Sequence, residues 1–282
     1  MLDRIQPIDG LIRPRFLYGT AWKEDDTERL MGLALRGGFR GIDTANQRRH
    51  YYEAAVGRAI AAATRDGVVQ RSDLFLQTKY TFQHGQDHRL PYDPKAPIAT
   101  QVEQSFASSL EHLQTDAIES YVLHGPSLRV GLTADDWDAW RTMEAIHDSG
   151  RAKALGVSNV TFEQLGELYQ GSRVRPTFVQ NRCYASTGWD RRVREFCSAH
   201  GVIYQGFSLL TANAAVLASP ELRRIAARHG RSPAQIVFRF ALDVGMMPLT
   251  GTTNGEHMSD DLESQTIELA PDEIGIIDRI AG

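Results

Sequence analysis

The sequence predicts a closed (β/α)8 barrel, and three observations carry that expectation. Short β-rich runs alternate with helical patterns eight times between residues 15 and 280, which points to parallel βα units. No strand is followed by the G-x-G-x-x-G turn that usually opens a doubly wound dinucleotide-binding sheet. No Pro-, Ser- or Gly-rich linker and no low-complexity tract splits the 282 residues, which are therefore read as one domain, 1–282.

In order, RFLYGT (15–20) leads to a helix over 25–37 with Leu30, Leu33 and Ala34 on one side, and RGIDTA (40–45) to a helix over 52–63. LFLQTKY (74–80) is an apolar strand ending in a lysine, followed by a polar loop over 81–97 and a helix over 98–113. That loop exceeds ordinary connection lengths and is expected to flank the mouth of a site. IESYVLHG (118–125) precedes a helix over 134–149, ALGVSN (154–159) one over 161–170, and TFVQNRCY (177–184) one over 189–199. VIYQGFSLL (202–210) is followed by helical stretches over 219–229 and 232–244. MMPLTGT (246–252), a helical turn over 255–263 and a helix over 271–280 complete the pattern. Residues 1–14 are expected to form a short hairpin or lid over the bottom of the barrel.

Composition narrows the function classes. A net charge of −4 with scattered basic residues argues against nucleic acid and membrane surfaces as partners. Two cysteines, Cys183 and Cys197, fit a reducing compartment without a disulfide framework. Asp3 and Arg4 interrupt any leader-like run, and no apolar stretch approaches 18 residues, so a cytoplasmic protein is expected. His84, His88, Asp87 and Asp93 share one loop, but without a third nearby His or Cys no metal is expected.

In such a barrel the C-terminal strand ends share one face. They carry Gly19-Thr20-Ala21-Trp22, Asp43, Lys79, His124, Ser158-Asn159, Gln180-Asn181, Phe207-Ser208 and Thr250-Gly251-Thr252. Asp43, Lys79 and His124, with a tyrosine from the second loop, have the makings of proton chemistry: a lysine beside a phenol lowers its pKa, and an aspartate holds the ammonium in place. Taken singly, Asp43 also reads as a turn cap, Lys79 as a rim charge and His124 as a satisfied core histidine. Trp22 and Tyr80 read as aromatic walls of a substrate pocket or as ordinary packing.

These residues stand in motifs that resemble the aldo-keto reductase family over nearly the whole chain. The resemblance rests on GTAW (19–22), GFRGIDTA with E-x-x-VGRAI (38–60), LFLQTK (74–79), YVLHGP (121–126), ALGVSN (154–159), QN (180–181) and PLTGTT with HMSDDL (248–262). It implies a barrel enzyme that reduces aldehydes and ketones with a nicotinamide dinucleotide, NADP(H) in preference to NAD(H). The implied catalytic set is Asp43, Tyr51, Lys79 and His124. The carboxamide of the cofactor would fall to Ser158, Asn159 and Gln180, and its ring to Phe207. Gly19, Thr20, Ala21, Asp43, Ser208, Leu210, Leu249, Thr250, Gly251, Thr252, His257 and Asp261 complete the implied cofactor site, with Trp22, Tyr52 and Tyr80 toward the substrate.

The sequence departs from the family pattern in three places. The tyrosine three residues before the Glu of E-x-x-V-G is His50 here, and the segment is about two residues longer, so Tyr51 or Tyr52 must serve; Tyr51 lies nearer the usual place. The lysine and arginine that often hold the 2′-phosphate appear as Leu249 and His257. His-Trp-Pro appears as His124-Gly125-Pro126, which opens space beside a substrate, and no long C-terminal loop follows the last helix. The expected partner is a small carbonyl compound, and the expected assembly a monomer or weak oligomer. The competing readings are a cofactor-sensing regulatory subunit of the same fold and a barrel isomerase or hydrolase.

Overall fold

The computed structural model of the chain describes residues 5–8 and 11–281. Strands β1 (Ile5–Ile8) and β2 (Leu11–Arg13) pair antiparallel, as the expected hairpin requires, and the two residues joining them lie outside the described residues. Pro14 follows, and its ring packs where Gly41 starts the second barrel strand, on the N-terminal side of the barrel.

Eight parallel strands close the barrel: β3 (Leu17–Gly19), β4 (Gly41–Asp43), β5 (Phe75–Tyr80), β6 (Ser120–Leu123), β7 (Leu155–Ser158), β8 (Phe178–Arg182), β9 (Ile203–Phe207) and β10 (Met247–Thr250), which returns to β3. Around them run α1 (Thr27–Gly37), α2 (Glu53–Arg65), α3 (Ile98–Leu113), α4 (Ala134–Asp148), α5 (Phe162–Gly171) and α6 (Arg191–His200). The connection from β9 holds α7 (Ala214–Leu217), α8 (Pro220–His229) and α9 (Pro233–Asp243), and the chain closes with α10 (Gly255–Glu263) and α11 (Pro271–Asp278). The short α7 has too few residues for a 3.6-residue stripe, so periodicity overlooks it. No helix of the described residues is long and apolar enough to cross a membrane.

Strand alternation sorts the side chains. Along β5, Leu76 and Tyr80 belong to the core shared with the helices, whereas Phe75 joins Leu17, Ala154, Phe178 and Met247 in a separate cluster inside the barrel. Two residues further along the strands the interior turns polar, with Asp43, Gln77, Gln180 and Gln205 all buried.

One close approach positions the second loop. A Cβ on Gly57 would lie 1.9 Å from the carbonyl oxygen of His112, so only glycine lets α2 come this near the end of α3. One turn earlier, Glu53 accepts a short hydrogen bond from the Thr78 hydroxyl and meets His112 Nδ1 at 3.1 Å. The start of α2 is thereby tied to β5 and α3, and the loop before it enters the helix in a fixed place.

Candidate active site

A cavity of about 1170 Å3 lies over the C-terminal strand ends. Its wall includes Gly19, Ala21, Trp22, Asp43, Tyr51, His124, Ser158, Asn159, Gln180, Phe207, Ser208, Leu210, Leu249, Thr250, Gly251, Thr252, His257 and Asp261, so most of the expected site residues come together. Trp22, Asn159 and Ser208 have φ of 62°, 51° and 57°, left-handed values that are uncommon for such residues and gather at functional sites.

At one end lie the titratable side chains of Asp43, Tyr51, Lys79 and His124. Lys79, fully buried beneath the wall, donates to Asp43 Oδ1 at 2.7 Å and to the Thr44 carbonyl at 2.8 Å. Burial pulls the Lys79 pKa down, while Asp43 opposes that shift. Its Nζ is 5.1 Å from the centre of the Tyr51 ring, which meets the His124 ring edge-on at 5.9 Å. Tyr51 is half-buried on the cavity wall, and desolvation there, reinforced by the Asp43 charge, raises its pKa above the phenol value. The expected lowering by Lys79 is therefore corrected. Desolvation decides the sign, and the Asp43 charge acts in the same direction.

Burial, with the positive charges of Lys79 and His50, pushes the His124 pKa well below the ordinary histidine value, so the ring is neutral. Its Nδ1 lies 2.7 Å from Thr81 Oγ1. The Thr81 hydroxyl finds no other acceptor among the described residues. With that hydroxyl as donor to Nδ1, the ring proton of His124 stands on Nε2.

Three expectations need correction. Tyr80 is fully buried between Phe82 and Tyr92, away from the cavity, because it alternates with the inward Lys79. Tyr52 precedes the first turn of α2 with Arg48 and Arg58 over its ring and does not line the cavity. Thr20 is spent on the barrel edge, its hydroxyl and amide both donating to the Asp43 carbonyl at 3.0 Å. Trp22 does reach the mouth, 70% exposed and tilted over His50 with ring centres 3.9 Å apart.

Residues that the sequence reading did not single out also line the wall, Lys23, Gln47, Thr81, Phe82 and Arg182 among them, and so does His84, which it had weighed only as a metal ligand. Parity along β5 would have identified Thr81, two residues beyond Lys79. Lys23 is only 5% exposed, donates to the Gly251 carbonyl at 2.8 Å, and has its pKa pushed down to about 8 by burial. Nearby, burial raises the Asp261 carboxyl to about 6 although it accepts from Thr250 Oγ1 at 2.7 Å, so that hydroxyl is already committed. His257 sits in the first turn of α10, where Asn254 accepts its backbone N–H at 3.4 Å.

The chain matches the aldo/keto reductase family model over residues 16–281. Among curated proteins, aldo-keto reductase family 4 member C11 of Arabidopsis thaliana is 32% identical, the match covering 79% of this chain and 71% of that protein. Deoxymugineic acid synthase 1-D of Triticum aestivum is also 32% identical, with 92% of this chain and 85% of that one covered. Among solved structures, an aldo/keto reductase from Brucella melitensis superimposes with a TM-score of 0.84 at 24% identity, covering 99% of this chain and 98% of that one. An aldo-keto reductase complexed with NADPH gives a TM-score of 0.84 at 22% identity, over 99% and 88% of the two chains. At those identities the structural likeness speaks for the fold.

Proposed function

The chain belongs to the aldo/keto reductase family, and on that premise we propose that it reduces aldehydes or ketones to alcohols with a nicotinamide dinucleotide, using Tyr51 as the proton donor. The observation that carries this reading is the convergence of Tyr51, the Lys79–Asp43 pair and neutral His124 at one end of a single cavity. At about 1170 Å3 the cavity exceeds the roughly 300–1,000 Å3 of an ordinary ligand pocket, leaving room for a cofactor and a substrate together.

The wall fits an amide-bearing flat ring. Phe207, half-buried on the cavity wall, offers an aromatic face. Gln180 offers an Oε1 that no described residue engages, and Asn159 and Ser158 stand beside it. When bound, the dinucleotide supplies the hydride. The chain's own groups handle the proton. Tyr51 stays protonated through the neutral range, and even a raised phenol remains a stronger acid than an alcohol, so transfer to an alkoxide oxygen runs downhill. His124, with Nδ1 held by Thr81, directs its Nε2–H at the same oxygen and fixes its approach.

The reading includes a preference for NADP(H) over NAD(H) by a narrow margin. Leu249 brings no charge and Thr250 is engaged by Asp261, which leaves Lys23, Thr252 and His257 for a 2′-phosphate.

The test is turnover of an aldehyde and ketone panel with NADPH and with NADH, in wild type, Tyr51→Phe and Tyr52→Phe. Each variant loses only a hydroxyl. Tyr51→Phe is expected to lose a factor of about 10²–10⁴ in kcat, while Tyr52→Phe stays near wild type. Near-normal turnover in Tyr51→Phe removes the proton role from that residue. A wild type that binds the dinucleotide but reduces nothing favours a sensing role.

A further inference from the structure

We propose that Gln205, held in place by Gln77, is a positioning residue: inside the barrel it and Asp43 occupy both N–H groups of Gln180, so that this side chain meets the cofactor's carboxamide only as an acceptor. The proposal rests on reading the cavity as a nicotinamide site.

The three glutamines lie at one level of the barrel. Asp43 and Gln77 are register partners across β4 and β5, as are Gln180 and Gln205 across β8 and β9. Gln77 and Gln205 are fully buried, and Asp43 and Gln180 are 2% and 4% exposed. Every amide nitrogen in such a place must find acceptors for two hydrogens, and every amide oxygen can accept two.

The hydrogens can be counted. Gln77 Nε2 donates to Asp43 Oδ1 at 2.8 Å and to Gln205 Oε1 at 2.7 Å. Gln205 Nε2 returns a bond to Gln77 Oε1 at 3.0 Å and points its second hydrogen at Met247 Sδ, 3.8 Å away. Gln180 Nε2 donates to Asp43 Oδ1 at 2.9 Å and to Gln205 Oε1 at 3.0 Å. Both hydrogens of Gln180 are thereby consumed, and Oε1 is the polar atom left for the cavity.

The orientation of the whole set follows from one charge. Asp43, paired with the Lys79 ammonium, accepts and does not donate, so the nitrogens of Gln77 and Gln180 must face it. Gln205 then has to present its oxygen between those two nitrogens. Reversing Gln180 would replace two hydrogen bonds by two oxygen–oxygen contacts. Rotating it to free one N–H for the cavity would give up the bond to Gln205 Oε1, which would keep only its donor Gln77; removing Gln205 lifts that cost.

A ligand must therefore bring a donor to Gln180. The carboxamide of NADP+ does so; the acetyl group of 3-acetylpyridine adenine dinucleotide phosphate brings only an oxygen. Dissociation constants for both dinucleotides are measured by quenching of tryptophan fluorescence, which needs no turnover. In wild type the carboxamide form is expected to bind about tenfold more tightly, the effect of leaving one acceptor unpaired. Gln205→Met frees one N–H of Gln180 to reach the acetyl oxygen, and the ratio is expected to fall to within about threefold. Gln205→Glu, protonated in this buried place, still offers one acceptor oxygen to Gln180 and one O–H to Gln77, and should keep the wild-type ratio. Thermal unfolding checks that each variant folds. If Gln205→Met does not, Gln77→Met with Gln205→Met removes both partners of the amide pair together and is expected to show the same reduced ratio.

A wild-type ratio near one, or an unchanged ratio in folded Gln205→Met or in the folded double Met variant, overturns the proposal while leaving the cofactor reading intact. Failure of wild type to bind either dinucleotide sinks the cofactor reading and this inference with it.

Discussion

The barrel interior has two layers that differ in what holds them. In the lower layer Phe75 and Phe178 meet edge-on at 5.4 Å among Leu17, Ala154 and Met247. One alternation further up the same strands, Gln77 and Gln180 replace those rings with hydrogen bonds that converge on Asp43. Apolar packing is tolerant: its energy follows the area and volume removed from water, and related shapes serve nearly as well. A buried polar network is not, because each donor left without an acceptor costs more than the bond contributes. The lower layer is thus suited to holding the barrel closed, and the upper to holding atoms in place for chemistry.

The largest effect is expected where the two roles overlap. Lys79→Met leaves the Asp43 carboxylate buried without its cation, a change expected to destabilise the fold by about 3–5 kcal/mol and to lower kcat by about 10²–10⁴. Denaturant melts and turnover on one preparation measure both. A variant that loses stability but keeps its turnover would separate the upper layer from the chemistry.

Phe178→Ala probes the other layer. Removing a fully buried ring is expected to cost about 3–5 kcal/mol of stability. Dissociation of NADPH, measured on the folded protein at low temperature, should stay within about twofold of wild type, since the added volume opens below Gln180. A large change in cofactor affinity would show that the two layers are mechanically coupled.

The smallest effect belongs to Lys23, a charge buried without the network that steadies Lys79. Its folded pKa of about 8 lies below the lysine value of 10.5. Between those values the unfolded chain binds more protons than the folded one, so stability rises with pH through that window, and below about 8 the full cost of burying the ammonium is present. The rise is on the order of 2 kcal/mol and should be missing from Lys23→Met in melts between about pH 7.5 and 10.5. Cofactor affinity should run the opposite way, weakening as the ammonium is lost above about pH 8. An identical pH response in wild type and variant would show that Lys23 is not the group responsible.

Much of this arrangement was legible in the chain. Alternating strand and helix patterns place Asp43, Lys79, His124, Ser158 and Gln180 at strand ends, and barrel geometry carries all of them to one face. The same period of two, applied along β5, also separates Lys79 and Thr81 from Tyr80, which the reading of Tyr80 as a pocket wall overlooked. Tyr51 and Tyr52 are a different case. Both precede α2 in a lengthened loop, and no local pattern distinguishes them. Glu53 and Gly57 fix where the helix starts, and that placement sets Tyr51 beside His124 and leaves Tyr52 under two arginines.

By itself the sequence determined the barrel, its order of units and the residue types at its mouth, because those follow from short-range periodicity repeated eight times. Only the tertiary structure decided how the groups behave. Asp43 collects donors from Gln77, Lys79 and Gln180, which lie 34, 36 and 137 residues away. The raised Tyr51 pKa and the neutral His124 arise from partial desolvation and charges supplied by elements remote in the chain. Desolvation and donor counting depend on everything packed around a group, and closure of the barrel is what brings those neighbours together.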